Sequence, residues 1–353
     1  MSMPLTRRDF GALALASIGT ASASAQARSV MFASWGGAFQ DALRSSMLEP
    51  ASKSIGMAVR EDTTNGIQDV RAQITAGRVA WDVTEQELPT CETLKRDSML
   101  DPIDYAVVKT DGISAELVNS HYVGFINFTK VIAYQAETYG SNGPQTWADF
   151  WNVKRYPGKR SLYGKVNYNL EAALMADGVA IPEIYKTLAT SDGQERAWRK
   201  LAEIVPHITV WYRGGSQSAQ LLRDGEVDII HMGHNRVESV IASGRKVSYR
   251  FDGGTMDVDG LLVPRAAPNR AGAMALINQM VGAEAQARLA KLMPLGPVNT
   301  KAFDTGILTD AEVQKINTLP ANYAKQILID PAFYVGQLDV LTERFDRLIQ
   351  GRG

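Results

Sequence analysis

The sequence predicts an α/β protein with mainly parallel sheets. Short runs of β-branched and apolar residues alternate with longer stretches of helical period, and no short repeat or low-complexity tract interrupts them. With 45% hydrophobic and 21% charged residues, the composition is that of an ordinary globular protein. A chain of 353 residues usually forms two domains.

The first hundred residues predict a compact unit of alternating elements. Strands are expected at residues 29–33, 57–61 and 82–85, and helices at residues 38–55, 67–76 and 88–97. The first helix should end at Gly56, because glycine readily adopts the left-handed conformation of a helix C-terminus.

The rest of the chain continues the alternation and then becomes mostly helical. Residues 123–134 are expected to be extended, and a turn-rich stretch at residues 140–144 opens a second set of elements that reaches about Phe251. A return strand is expected at residues 260–264. Helices are expected at residues 269–292, 309–316 and 336–348.

The N-terminus has the pattern of a twin-arginine export signal. Arg7 and Arg8 precede an apolar run at residues 10–18 and a small-residue stretch at residues 21–25. The run is shorter than the roughly 20 apolar residues of a membrane-spanning helix. Residues 1–27 are therefore expected to be a signal peptide, cleaved after Ala25 or Ala27, which places the mature protein in the periplasm. An amphipathic first helix of a cytosolic protein is the alternative, but it leaves the arginine pair unexplained.

Charge and cysteine content narrow the function classes further. Removal of the signal takes away Arg7, Arg8 and Asp9 and changes the formal charge from −1 to −2, so nothing indicates binding to nucleic acid or to an anionic membrane. A soluble monomer is expected. Cys91 is the single cysteine, which excludes an internal disulfide. Beside Leu88 and Leu94 it fits a small buried hydrophobe better than a nucleophile.

Catalytic, cofactor and metal motifs are nearly absent from the sequence. It contains neither a phosphate-binding loop nor a dinucleotide fingerprint. Gly214-Gly215-Ser216-Gln217-Ser218 resembles a nucleophile elbow, but Ser218 replaces the second glycine. His231 and His234 would form a metal site only if both lay on a helix, and the preceding residues predict a strand. We therefore expect no enzyme activity, no cofactor and no metal.

Candidate ligand-binding residues follow the predicted strands, where open α/β sheets bind small molecules. Ser34 and Trp35 follow the first strand, Gln86 and Glu87 follow the third, and Asp257 and Asp259 precede the return strand on one side of an extended chain. Trp35 can present its ring face to a cation. Each also has a structural interpretation: core for Trp35, helix N-terminus for Glu87 and turn for Asp257.

Five segments, in order along the chain, resemble spermidine/putrescine-type periplasmic solute-binding proteins of ABC transporters. They are residues 32–42 (FASWGGAFQDA), 146–151 (TWADFW) with 157–160 (PGKR), 170–179 (LEAALMADGV), 225–228 (GEVD) and 294–299 (PLGPVN).

The resemblance implies the two-lobed fold of type II periplasmic binding proteins, with a ligand cleft between lobes that the chain crosses near Ala133 and Leu261. Residues 28–132 and 262–353 would form the first lobe and residues 133–261 the second. The protein would capture an amine-bearing solute and deliver it to an inner-membrane ABC permease with a cytoplasmic ATPase. The resemblance places ligand contacts at Trp35, Glu87, Glu171 and Asp259.

Departures from the polyamine pattern leave the ligand open. His234, Asp257 and Leu295 stand where polyamine binders commonly have aromatic rings, which argues against a long stacked polyamine. Arg213 lies between a strand and a helix N-terminus, a combination that suits a carboxylate. The ligand is then a diamine held by acids at both ends, or an ω-amino acid such as 4-aminobutyrate. Four candidate acids against one arginine favour the amine-only ligand.

Two other function classes remain at this point. An exported enzyme would need a catalytic constellation, and a ferric-ion receptor on the same architecture would need neighbouring tyrosines, whereas the sequence has no Tyr-Tyr pair.

Overall fold

The computed structural model describes residues 29–351, and the predicted signal peptide lies outside this range. The described strands are β1 (Ser29–Ser34), β2 (Ala58–Thr63), β3 (Val83–Glu87), β4 (Leu100–Asp101), β5 (Tyr122–Gln135), β6 (Arg160–Tyr163), β7 (Ile208–Tyr212), β8 (Ile229–Gly233), β9 (Val247–Tyr249), β10 (Thr255–Pro264), β11 (Gly296–Pro297) and β12 (Ile327–Leu328).

The described α-helices are α1 (Gly37–Leu43), α2 (Glu49–Ile55), α3 (Ile67–Thr75), α4 (Leu88–Arg96), α5 (Ala136–Tyr139), α6 (Trp147–Trp151), α7 (Asn169–Ala176), α8 (Ile184–Leu188), α9 (Ser191–Ile204), α10 (Gly215–Arg223), α11 (His234–Ala242), α12 (Arg270–Met280), α13 (Ala283–Leu292), α14 (Asp310–Val313), α15 (Pro320–Tyr323), α16 (Pro331–Tyr334) and α17 (Leu338–Ile349). A π-helical turn, Arg44–Leu48, makes α1 and α2 one continuous helical run. Short 3₁₀ turns lie at Ala115–Leu117, Ile181–Glu183, Val205–His207 and Thr300–Asp304. Within residues 29–351, no helix has the length and apolar character needed to cross a bilayer.

The strands form one sheet whose two ends are parallel and whose middle is antiparallel. Its main order is β2-β1-β3-β10-β5-β8-β6-β7. Strands β2, β1 and β3 run parallel to one another, as do β8, β6 and β7. The long strands β10 and β5 pair antiparallel with each other and with the flanking strands β3 and β8. Two parallel α/β units, the first lobe around β1–β3 and the second lobe around β6–β8, are thus joined through β5 and β10.

The hydrophobic cores show where the chain passes between lobes. Phe125 lies in the core of the first lobe, Ala133 lies in that of the second, and Phe128 packs against both. On the other strand Asp257 lies opposite Phe128, and Leu261 is in the core of the first lobe. The chain thus passes from one core to the other near Phe128 and Asp257, whereas the crossings were expected near Ala133 and Leu261.

The C-terminal helix α17 belongs to the core of the second lobe. Its buried face consists of Leu338, Leu341 and Phe345, which pack in that core, and Arg344 forms an ion pair with Glu195 of α9. This packing differs from the predicted division, in which residues 262–353 all lie in the first lobe. An amphipathic helix must cover apolar surface, but its sequence does not show which lobe supplies that surface.

Most predicted elements are present with shifted ends. The helix expected at residues 269–292 is divided at Val281-Gly282 into α12 and α13, and the return strand begins at Thr255, before its expected start. The longer strand is important for the site, because it places Asp257 and Asp259 within the sheet and not in a turn.

Candidate functional site

A cavity of about 150 Å³ lies between the two lobes, beside the crossing strands. Its lining combines aromatic and charged side chains from both lobes. The lining includes Trp35, Glu87, Phe128, Lys130, Tyr163, Arg213, Asn235, Arg236 and Asp259. Of the predicted site residues, the structure brings Trp35, Glu87, Arg213 and Asp259 together here.

The first lobe contributes two carboxylates to the cavity. Asp259 and Glu87 are register partners on β10 and β3, so both side chains lie on one side of the sheet. The Trp35 indole N–H donates to Asp259 Oδ2 at 3.0 Å, whereas the buried Oδ1 has no hydrogen-bond partner among the described residues. Burial, reinforced by the charge of Glu87, raises the pKa of Asp259 to about 8. Oδ1 is therefore an acceptor that an ammonium group entering the cavity would satisfy.

Two further acids lie behind this pair. Asp257 accepts a hydrogen bond from the Tyr168 hydroxyl at 2.9 Å, and Glu85 accepts one from Ser34. Burial and neighbouring carboxylates raise the pKa of both acids. Four carboxyl groups thus lie together at the edge of the cavity, although Ser34, Glu85 and Asp257 are not among its lining residues.

Lys130 lies opposite these acids and is surrounded by aromatic rings. Its Nζ is 4.1 Å from the ring centroid of Tyr168, 4.6 Å from that of Phe128 and 4.8 Å from that of Tyr163. Burial lowers the pKa of Lys130 to about 8, and the charges of Glu87, Asp257 and Asp259 oppose this shift. Tyr168 has a left-handed backbone, with φ of 74°, a conformation uncommon for a bulky residue and often associated with functional sites.

The second lobe contributes positive charge. Arg236, near the start of α11, is buried, and burial lowers its pKa to about 10, against the opposing charge of Glu85. Arg213 lines the cavity mouth, where its guanidinium is 3.5 Å from Asp346. Between them, α10 begins at Gly215 without a side-chain cap on its first N–H groups. Together with the Asn235 amide, these groups form a face suited to a carboxylate.

The lobes touch across the cavity mouth, so the structure shows a closed cleft. The Lys165 ammonium of the second lobe donates to the Asn65 carbonyl of the first at 3.3 Å. Gly37, with φ of 63°, lies so close to the second lobe that a Cβ there would overlap the Ser216 hydroxyl. Glycine is required here both for its backbone conformation and for the close approach of the lobes.

The remaining predicted site residues lie in the protein interior. Glu171 is buried in the second lobe, where it accepts hydrogen bonds from the hydroxyls of Tyr185 at 3.0 Å and Tyr334 at 2.7 Å. Gln86 is buried and donates to the Thr64 hydroxyl at 3.3 Å. Neither residue lines the cavity.

Sequence reasoning missed Lys130, Arg236 and Tyr163. Lys130 left a signal, because it is the one charged residue in the otherwise uncharged stretch 122–135, and buried lysines are rare unless they have a partner or a function. Arg236 lies inside a helix, two residues after His234, where a surface position was equally plausible.

The alternative catalytic and metal residues are engaged elsewhere. The Cys91 thiol donates to the Gln86 carbonyl at 3.2 Å, and burial raises its pKa. His231 contacts the Thr255 hydroxyl, and His234 contacts the Pro294 carbonyl at 2.7 Å. Among residues 29–351, no group of His, Cys, Asp and Glu side chains has the arrangement of a metal site.

Comparison with known proteins shows the family. The model of the bacterial extracellular solute-binding protein family matches residues 47–321. The gamma-aminobutyric acid-binding protein of Pseudomonas aeruginosa is 32% identical over 331 residues, which cover 92% of each chain.

Solved structures agree with this assignment. The periplasmic binding protein MotA of A. tumefaciens B6, in complex with glucopine, is 32% identical with a TM-score of 0.88, over 91% of this chain and 99% of that one. A GABA receptor is 26% identical with a TM-score of 0.80, over 91% of this chain and 97% of that one. With the closed two-lobed cleft, these similarities show that the chain belongs to the bacterial extracellular solute-binding protein family.

Proposed function

We propose that this protein is the periplasmic substrate-binding component of an ABC transporter and that its ligand is a small solute with one ammonium and one carboxylate group, of the 4-aminobutyrate class. The observation that carries the proposal is the division of charge across one closed cavity: carboxylates on the first lobe and guanidinium groups on the second.

The ammonium end of the ligand is placed against the first lobe. Asp259 offers its unpartnered Oδ1, and Glu87 lies next to it. In a cavity from which most water is excluded, a carboxylate–ammonium hydrogen bond is charge-assisted and stronger than at the surface. Ligand binding would then ionise Asp259, with release of a proton below about pH 8.

The carboxylate end is placed against the second lobe. Arg236 and Arg213 supply guanidinium groups, and the N-terminus of α10 supplies backbone N–H groups. The sequence alone favoured an amine-only ligand on a count of four acids against one arginine. In the structure Glu171 lies away from the cavity, whereas Arg236 lines the cavity beside Arg213. One candidate acid is therefore lost from the count and one arginine is gained.

The size of the cavity supports a short ligand. A volume of about 150 Å³ holds a molecule of roughly the size of benzene, so a long polyamine would not fit in the closed cleft. Trp35, Phe128 and Tyr163 provide apolar surface for a few methylene groups. The two relatives named for gamma-aminobutyric acid are consistent with this ligand class.

The cellular setting of the proposal comes from the sequence and the family. We propose that residues 1–27 direct export by the twin-arginine route, that the mature protein is a monomer without nucleic-acid partners, and that it passes its ligand unchanged to an ABC permease driven by a cytoplasmic ATPase. The protein then needs no catalytic residue.

Calorimetric titration of the mature protein tests the ligand class. We expect 4-aminobutyrate to bind more tightly than n-butylamine, which lacks the carboxylate, and more tightly than butyrate, which lacks the ammonium. Equal affinity for 4-aminobutyrate and n-butylamine would refute the carboxylate assignment. Mass spectrometry of the incubated ligand should find it unchanged.

A matched pair of variants tests the role of the second lobe. Arg236→Met should weaken 4-aminobutyrate binding roughly 30-fold or more, the usual effect of removing one partner of a buried charge pair. Arg223→Met, at the exposed end of α10, should leave affinity unchanged. Circular dichroism of both variants separates loss of binding from loss of folding.

A further inference from the structure

Lys130 places a second ammonium group inside the proposed ligand cavity. It lines the cavity, it is buried, and its Nζ lies within 4.8 Å of three ring centroids. Among the described residues no carboxylate oxygen lies within ion-pair distance of the Lys130 Nζ. Its ammonium group therefore interacts mainly with the three ring faces. Aromatic faces attract a cation most strongly when water is excluded.

One ring of the cage formed by Phe128, Tyr163 and Tyr168 is hydrogen-bonded to an acid. Tyr168 donates its hydroxyl to Asp257, which polarises the ring towards greater negative charge and strengthens its attraction for the Lys130 ammonium. The Lys130 ammonium thus occupies a position in this cavity that is suited to a cation.

Cations of the protein already oppose the acids around the cavity. Glu85, Asp257 and Asp259 have raised pKa values because of burial and neighbouring carboxylates. Arg236 acts on Glu85, and Lys130 and Lys165 act on Asp259. A ligand ammonium beside Asp259 would be paired with that acid, whereas the second ammonium of a diamine would meet the like charge of Lys130. An uncompensated buried charge is strongly unfavourable.

We infer that Lys130 determines specificity: its ammonium acts as a built-in cation in the aromatic cage, so that the cavity accepts a solute with a single ammonium group and rejects diamines. This inference rests on the proposed function, because it assumes that the acids of the first lobe bind the ammonium of the ligand. The second ammonium of putrescine would have to displace Lys130 or remain unpaired.

Substitution of Lys130 tests the inference. Lys130→Met keeps an unbranched side chain and removes the charge, which frees the cage for a second ammonium. We expect its affinity for putrescine to rise at least about tenfold over wild type, while 4-aminobutyrate still binds. Lys130→Arg is the matched control, because it keeps the positive charge and should continue to reject putrescine.

Wild-type protein supplies a test that does not depend on a variant folding. Putrescine and n-butylamine differ by the second amino group, and we expect n-butylamine to bind at least as tightly as putrescine. Putrescine binding tenfold more tightly than n-butylamine would overturn the inference, and so would a folded Lys130→Met variant that gains no affinity for putrescine. Failure of the proposed function is a different result, namely no preference of wild type for 4-aminobutyrate over n-butylamine.

Discussion

Replacement of Asp259 by asparagine should weaken ligand binding and stabilise the ligand-free protein at the same time. The asparagine side chain would keep an oxygen that accepts from the Trp35 indole N–H but lose the charge that the ligand ammonium requires. Loss of one partner of a buried charge pair costs about 2–5 kcal/mol, which is roughly a 30- to 4,000-fold increase in Kd.

The gain in stability follows from the pKa of Asp259. Because its folded-state pKa is about 8 and its ordinary value is 3.8, the folded protein holds a proton that the unfolded chain has lost between these pH values. This group therefore makes the protein less stable as the pH rises from about 4 to about 8. Asparagine removes that dependence. Lys130, with a lowered pKa, acts in the opposite sense only above about pH 8.

Urea denaturation of ligand-free wild type and Asp259→Asn at pH 5 and pH 8 measures the effect. We expect the variant to be more stable than wild type by about 1–3 kcal/mol at pH 8 and by less at pH 5, a fraction of the full penalty for a buried charge. Isothermal titration gives the matching loss of affinity, with exposed Glu137→Gln as a control. The same difference in free energy of unfolding between wild type and variant at both pH values would show that Asp259 does not have a raised pKa.

Three further predictions concern closure, folding and export. Gly37→Ala should raise Kd at least about tenfold, because the added methyl group meets Ser216 in the closed cleft. Gly56→Ala is the control: Gly56 has a similar φ of 66° but open space around it, so Kd should stay unchanged. Glu171→Ala should destabilise the fold by at least about 2 kcal/mol in urea denaturation, because Tyr185 and Tyr334 lose their acceptor, with ligand affinity retained in the folded fraction. Replacing Arg7 and Arg8 with lysine should leave precursor in the cytoplasm on cell fractionation; normal periplasmic yield would indicate the general secretory route.

Local pattern was sufficient to predict most elements, because each strand and helix shows its own period. The exceptions depend on contacts distant in sequence. Residues 255–259 contain two acids and were expected to precede the return strand, with a turn as the alternative for Asp257, yet they belong to the buried strand because β5 pairs with them along their length. The sequence also did not show which lobe α17 packs against, since both lobes offer apolar surface.

The site shows the same division between local and distant information. Trp35 and Arg213 follow strand ends and Glu87 is the last residue of β3, which are positions where topology alone directs side chains to the cleft. Lys130 lies in the middle of a strand, and its proximity to the acids depends on the antiparallel register that puts Thr255 opposite it and Asp257 opposite Phe128. No reading of residues 122–135 in isolation supplies that register.

Because the lobes are joined through β5 and β10, groups beside the crossing should move little when the lobes close, and groups at the far rim of the cleft should move more. A rotation of the lobes about Phe128 and Asp257 would displace Lys130 and Asp259, which lie two residues away, less than it would displace Gly37 at the contact between the lobes. Rim substitutions should therefore change the fraction of molecules that are closed and scale Kd for every ligand by the same factor. A series of rim variants would form a set of sensors with graded affinity and constant selectivity.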